Sequence, residues 1–320
     1  MKQNYVVLCP YFGRLPDNIE VFFQSCGNNR KIKFIIITDD QRSFKYPNNV
    51  EILSMEFDEL KKHIQSKFDF KISLDNPYKL CDYRPAFGYI FKDLTRGFDY
   101  WGYCDLDMIF GDLQKYLPTK KYDKISRLGP FCLYRNIKRV NEAFMLNGNC
   151  KFNYKGIFSS NVHFAFDEIG KYGINSIFDK YGYSIYDYQN NAADLNCILE
   201  GMNITSGHSG NYTTSIGKRV FEFNKGKIYG YLLNDTSILK NEYAYIHFQK
   251  RKMILNVSNS KKNCIITHHL ITNKNDQIID IDFINNNQPR RKMIFRKWIK
   301  LKIRAVKVRL KRLFVIVNNS

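Results

Sequence analysis

Among the 320 residues there is no apolar run long enough to cross a bilayer, no CxxC pair, no internal repeat and no glycine-rich phosphate loop near the first apolar stretch. Each absence excludes something. The opening MKQNYVVLCPYFG holds only Tyr5 to Cys9 as an apolar run before Pro10, too brief for a membrane span or the apolar core of a signal peptide, so a cytoplasmic location is expected. The eight cysteines, at positions 9, 26, 81, 104, 132, 150, 197 and 264, are scattered and several sit in apolar stretches. That distribution predicts reduced, mostly buried thiols and argues against a zinc site or a disulfide framework. The missing phosphate loop removes the main support for a nucleotidyltransferase that would release pyrophosphate from a nucleoside triphosphate. Sequons at Asn203, Asn211, Asn234 and Asn256 are incidental in an Asn-rich chain.

Acid is also absent from Arg290 to Arg312, where twelve residues are Lys or Arg; of the formal net charge of +20, only +8 belongs to the rest of the chain. In the same stretch Ile294, Trp298, Leu301, Ala305 and Val308 recur at three- and four-residue steps, with Lys292, Arg296, Lys300, Arg304, Lys307 and Lys311 in a similar rhythm. The pattern predicts a basic amphipathic helix that meets an anionic membrane surface through residues 290–312; period-two alternation from Ile299 to Arg304 leaves a strand as the alternative. A nucleic-acid partner is not expected, because the body lacks a recognisable reading module. The expected organisation is one domain over 1–288 and a basic tail over 289–320, peripheral on the inner face of a bacterial plasma membrane.

What is present is an enzyme-sized core: hydrophobic residues make up 44% and aromatics 15% of the chain. Asn4 to Leu8 and Lys33 to Thr38 read as strands, with helix-like sequence between them, from Met55 to Lys67, and from Pro85 to Leu94. Tyr100 to Tyr103 reads as a further strand, and the second half offers strand candidates at Phe131 to Tyr134, Val162 to Phe166, Lys227 to Leu233 and Ala244 to Phe248. Alternating strands and helices predict an α/β fold, a mainly parallel sheet with helices on both faces and a ligand crevice at the C-terminal strand ends. Asp39, Asp40, Asp105 and Asp107 all fall at such ends.

The segment WGYCDLDMIFGDL (Trp101 to Leu113) carries the clearest chemistry. An Asp-x-Asp directly after a hydrophobic strand sets Asp105 and Asp107 at the strand's mouth, with Leu106 pointing the other way. Two hard oxygen ligands there suit Mn²⁺ or Mg²⁺ and leave positions free for diphosphate oxygens. Upstream, in NPYKLCDYRPAFGYIF, Lys79 or Arg84 could meet donor phosphates and Asp82 a sugar or ribose hydroxyl, unless the segment is a helix start with surface charges. Downstream, in YAYIHFQKRKM, His247 ends a β-like run and is followed by Lys250, Arg251 and Lys252, an imidazole for a metal beside cations for phosphate. Asp167 and Glu168, in HFAFDEIG, could supply a base for an acceptor hydroxyl.

These segments, with CPYFGRLPDNIEVFFQSC and IIITDD, together resemble an uncharacterised bacterial family of GT-A-like glycosyltransferases found among polysaccharide genes, over roughly residues 4–255. More widely, the chain is similar to the family-eight glycosyltransferases, in which an Asp-x-Asp and a late histidine share Mn²⁺ and a nearby lysine meets the diphosphate. The resemblance implies a GT-A-like fold and transfer of a hexose or N-acetylhexosamine from a nucleotide-sugar, a UDP-sugar before a GDP-sugar, to a glycan or lipid-linked glycan acceptor. It implies Asp105, Asp107 and His247 as metal ligands and Lys79, Arg84 and Lys252 as phosphate contacts. Asp39 or Asp40 would face the nucleoside, with Tyr11 of the first segment and Lys250 in the same donor-binding set. Asp194, in NNAADLNCI, resembles an acceptor-side carboxylate and is a second catalytic candidate. The match departs where family eight has Gly and then Lys-Pro-Trp after the histidine, since Gln249 to Lys252 stand here. A silent nucleotide-sugar-binding subunit of a polysaccharide assembly is the alternative to an enzyme.

Overall fold

The apolar run Val6-Val7-Leu8 is buried on both faces, the signature of a strand inside a covered parallel sheet. In the computed structural model, which describes residues 3–149, 152–168, 170, 172–208, 211–257, 263–290 and 295–318, it forms β1 (Tyr5–Pro10). Its neighbours are β2 (Ile32–Thr38) and β4 (Tyr100–Cys104), both parallel to it, and β3 (Val50–Ser54) lies parallel outside β2. On the other flank stand β6 (Lys124–Ile125), β7 (Phe131–Arg135) and β8 (Ile185–Tyr186). The seven-stranded order is β3-β2-β1-β4-β7-β6-β8, with β7 antiparallel to both of its neighbours. The molecule is therefore a mixed α/β protein. Strand order reverses between β1 and β4, so the loops after these two strands flank the crevice expected at such a switch point.

Side-chain alternation divides the core between the sheet's faces. Val6, Leu8, Ile35, Ile37, Trp101 and Tyr103 join one buried cluster; Tyr5, Val7, Cys9, Phe34, Ile36 and Tyr100 join the other. Each such side chain contributes about 1.5–3 kcal/mol by leaving water. Gly102 is required in β4, since a Cβ there would sit 2.2 Å from the Cys132 carbonyl oxygen of β7. The seven described cysteines are free, five of them buried; Cys150 lies outside the described residues.

A second element builds the site. β5 (Met108–Phe110), β9 (Ala192–Asp194) and β15 (Tyr245–His247) form a three-stranded sheet in the order β5-β15-β9. The chain between β9 and β15 supplies the hairpin β10 (Ile204–His208) and β11 (Asn211–Ser215), followed by β12 (Arg219–Asn224), β13 (Lys227–Asn234) and β14 (Ser237–Tyr243). With β16 (Ile254–Asn256), β17 (Asn263–Ile266) and β18 (Leu270–Asn273), the last three make a six-stranded sheet of which sequence periodicity reveals only β13. Two expectations change. Val162 to Phe166 is not a strand but an irregular segment pinned by Asp82, which accepts from the Phe164 and Phe166 amides at 2.9 Å each. Pro85 to Leu94 is not one helix: a 3₁₀ segment Pro77–Ala86, with Pro85 inside it, gives way to the short turns Phe87–Ile90 and Lys92–Thr95. The tail is helical from Phe295–Asn318, and no helix among the described residues is long and apolar enough to cross a membrane.

Candidate metal and donor site

Strand β4 ends at Cys104, and the Asp105 amide is fixed by the Pro130 carbonyl at 2.9 Å. Leu106 turns into the core at 4% exposure, so Asp105 and Asp107 are left projecting toward solvent on the other side. The register of the small sheet brings the third group: His247 lies beside Met108 of β5 and beside Asp194 of β9. Its Nε2 is 3.3 Å from Asp107 Oδ1 and 3.5 Å from Asp105 Oδ2. One ligand atom from each of the three residues lies within 4.8 Å of the others.

The imidazole is held from behind. His247 Nδ1 donates to Asp194 Oδ1 at 2.8 Å, and Gln249 Nε2 reaches the same oxygen at 2.7 Å. A carboxylate on one ring nitrogen, with the other nitrogen facing two carboxylates, is a donor set that could hold a divalent cation. Burial works against a charged ring, but Asp107 and Asp194 outweigh it and hold the His247 pKa well above its ordinary value. Burial likewise opposes the Asp107 carboxylate; His247 and the Lys250 amide prevail and bring it down to about 2. To serve as a ligand, His247 must give up this extra proton. Asp194, expected on the acceptor side, has its 13% exposed carboxylate turned toward the ring, where it orients the imidazole. Asp194→Ala is expected to weaken Mn²⁺ binding by about 10–100-fold, read as a calorimetric Kd, while the fold persists.

The loop after β15 closes over Asp107. Gln249 and Lys250 take the left-handed conformation at φ 53° and 60°, a strain of roughly 1–2 kcal/mol each for residues with a Cβ. That turn delivers the Lys250 amide to Asp107 Oδ2 and frees Oδ1 for His247. Arg251, one of three consecutive cations, is spent on structure: its guanidinium donates to the carbonyls of Asn196 (2.7 Å), Leu199, Glu200 (2.6 Å) and Gly201 (3.1 Å). Lys250 and Lys252 stay exposed, Lys250 with its Nζ 4.3 Å above the Tyr78 ring. Tyr11, 37% exposed after β1, has its phenol pKa raised by partial burial and by Asp107, against Lys250, so it shares their surroundings.

Other expected donor contacts are engaged elsewhere. Lys79 and Asp82, 1% and 0% exposed, face each other in the core rather than the crevice, with Lys79 Nζ at 2.7 Å from Asp82 Oδ2. The remaining Lys79 protons go to the Ile157 and Val162 carbonyls at 2.9 and 2.7 Å, so no donor is left for a phosphate. Arg84 lies at the site but bridges two carboxylates, Asp105 and Asp167, the latter at 2.8 Å, and rests over the Tyr103 ring. It orients Asp105 and leaves Oδ2 toward His247. Asp40 is taken by Arg42 and by the Leu15 amide at 2.8 Å, while Asp39 Oδ1 accepts from the Gly13 amide at 2.6 Å. Both therefore brace the loop that carries Tyr11.

Of the carboxylates considered as a base, Asp167 is 1% exposed and spends one oxygen on Arg84, which removes it from contact with an acceptor. Glu168 is exposed and within electrostatic range of Arg84, Asp105 and Asp194. Its chain lies across Gly129, where a Cβ would come 2.9 Å from Glu168 Cγ. Sequence reasoning missed Gln249 and the structural role of Arg251, because nothing in the run Gln-Lys-Arg-Lys marks which side chain turns inward.

No curated protein matches the chain. Among solved structures, the crystal structure of the apo-form glycosyltransferase GlyE from Streptococcus pneumoniae TIGR4 aligns at 17% identity and a TM-score of 0.33, over 59% of this chain and 46% of that one. The aligned part thus spans less than half of GlyE. A family model described as a family of unknown function, DUF6625, matches residues 7–275, most of the chain, and the protein belongs to that family.

Proposed function

We propose that the protein is a metal-dependent glycosyltransferase of GT-A type, moving a hexose or N-acetylhexosamine from a nucleotide-sugar to a surface polysaccharide or lipid-linked glycan. The observation that carries this reading is the meeting of Asp105, Asp107 and His247 at the mouth of β4, with ligand atoms within 4.8 Å. Mn²⁺ or Mg²⁺ bound there would offset the charge growing on a departing diphosphate. Two hard carboxylates suit either ion, and the imidazole favours Mn²⁺ over Mg²⁺.

The chain's own residues divide the remaining work. Asp194 and Gln249 hold the His247 ring, and Arg84 holds Asp105. Lys250, whose amide is bonded to Asp107, and the exposed Lys252 two residues on meet the diphosphate; Tyr11, braced through Asp39 and Asp40, borders the donor. The acceptor oxygen forms a bond to the anomeric carbon as the bond from that carbon to the diphosphate breaks, and the nucleoside diphosphate leaves. The hydroxyl proton passes to Glu168 if transfer inverts the anomeric centre, or to the leaving phosphate if it retains it.

The test is a donor panel of UDP-, GDP-, CMP- and dTDP-sugars, with thermal stabilisation and turnover measured with and without Mn²⁺. The expected result is stabilisation by one nucleotide class, a UDP-sugar first, together with sugar transfer or hydrolysis that EDTA removes. Neither stabilisation nor turnover across the panel would defeat the proposal. Stabilisation without turnover would instead identify a silent binding subunit.

A further inference from the structure

The C-terminal helix carries five apolar side chains that do not pack on the body. Ile299, Ile303, Val306, Leu310 and Leu313 are 38%, 51%, 58%, 61% and 49% exposed. Their steps of four, three, four and three residues hold them on one line along the helix, at about 100° per residue. The stripe extends about 21 Å at about 1.5 Å per residue. It is not the stripe the sequence suggests. Trp298 and Val308, from that expected set, are half-buried, Ala305 is exposed, and the side chains of Ile294 and Leu301 lie outside the described residues.

A different side of the helix holds it to the body. Arg312 Nε donates to the His163 carbonyl at 2.8 Å, and its guanidinium lies 5.6 Å above the Phe164 ring. The exposed cations flank the apolar stripe: Lys300, Lys307 and Lys311 fall along one margin, Lys302 and Arg309 along the other. The helix contains no aspartate or glutamate.

We propose that this face docks on an anionic lipid bilayer, lying in the interface with the five aliphatic side chains among the acyl chains and the cations at the headgroups. Charge complementarity selects the occupant. Nucleic acid would use the cations but offers nothing to an aliphatic line between them. A second copy of the chain would set the same cationic margins against themselves. A bilayer answers both features at once, attracting each cation by about fivefold in affinity and accepting the apolar line. Trp298, with Lys302 Nζ 5.8 Å from its ring, stands next to the margin and reports on docking; the other tryptophan, Trp101, is buried in the core.

The test uses the full chain, phosphatidylcholine vesicles with and without phosphatidylglycerol, flotation, and tryptophan emission. Binding and a blue shift are expected with phosphatidylglycerol only, and both should fall in high salt. Ile303→Glu with Leu310→Glu should lower vesicle affinity at least tenfold with an unchanged circular dichroism melt. Lys300→Gln, Lys307→Gln and Lys311→Gln together should lower it by about a hundredfold. The proposal is overturned if wild-type protein ignores anionic vesicles or binds neutral ones equally, if the glutamate variant still binds, or if duplex DNA displaces the protein from vesicles. It is also overturned if the wild type is a dimer that the glutamate variant dissolves, which would make a second copy the occupant. No nucleotide-sugar is present, so the outcome is independent of the transferase proposal.

Discussion

His247→Ala is expected to lower metal-supported sugar transfer on the order of 10³-fold, with little change in fold. The ring is 6% exposed and contributes the nitrogen that faces Asp105 and Asp107, so the substitution leaves two carboxylates without their third partner. A bound cation contributes several kcal/mol by stabilising charge in the transition state, and each factor of ten in rate is about 1.4 kcal/mol. Asp107→Ala should match the loss. It removes a ligand and also releases the Lys250 amide, so the strained turn at Gln249 and Lys250 loses its anchor. The order of effects separates roles: His247 and Asp107 largest, Asp194 smaller, because Asp194 acts through the ring. Steady-state turnover at saturating Mn²⁺ checks this, and activity within a few-fold of wild type in His247→Ala contradicts it.

The second large effect is on stability. Asp82→Asn should cost about 3–5 kcal/mol of unfolding free energy, because it leaves the Lys79 ammonium buried without its counter-charge. Burial already pulls the Lys79 pKa below its ordinary value, and the Asp82 carboxylate is what opposes that fall. An asparagine oxygen in the Oδ1 place can still accept from both the Phe164 and Phe166 amides, while its amide nitrogen faces the Lys79 ammonium, so the loss reports on the Lys79 pairing rather than on those backbone bonds. Lys79→Met combined with Asp82→Asn should therefore recover most of the deficit, with only the Ile157 and Val162 carbonyls left short of a donor. Urea unfolding midpoints read both numbers. If Asp82→Asn leaves the midpoint unchanged and weakens donor binding instead, the pair faces the crevice and not the core.

The contrast between these two groups shows what the chain discloses before folding. Asp105 and Asp107 are legible because an acidic pair directly follows a run of buried aromatics, and a strand end in a parallel sheet is where ligands collect. His247 is legible for the same reason, as a polar residue closing an apolar strand, though its register against Asp194 and Met108 is a tertiary fact. Lys79 and Asp82 read as donor contacts or as surface charges at a helix start, since no local pattern says that Phe164 and Phe166 will fold back over them. Likewise Arg251 and its two lysine neighbours are indistinguishable until the left-handed turn sends one inward and leaves two outside. Apart from β13, the six-stranded sheet escapes a periodicity reading because strands such as SILKNEY are largely exposed and polar. In the tail, charge and helicity are plain from composition; the outward face is not, because Arg312 determines which side meets the body.

The most direct measurement is anomalous scattering from crystals grown with Mn²⁺ and UDP. The account predicts one strong peak bonded to Asp105, Asp107 and His247 Nε2, with diphosphate oxygens completing the ion's shell and Lys250 or Lys252 turned toward the phosphates. A peak elsewhere, or nucleotide bound with no ion among these three side chains, would contradict it.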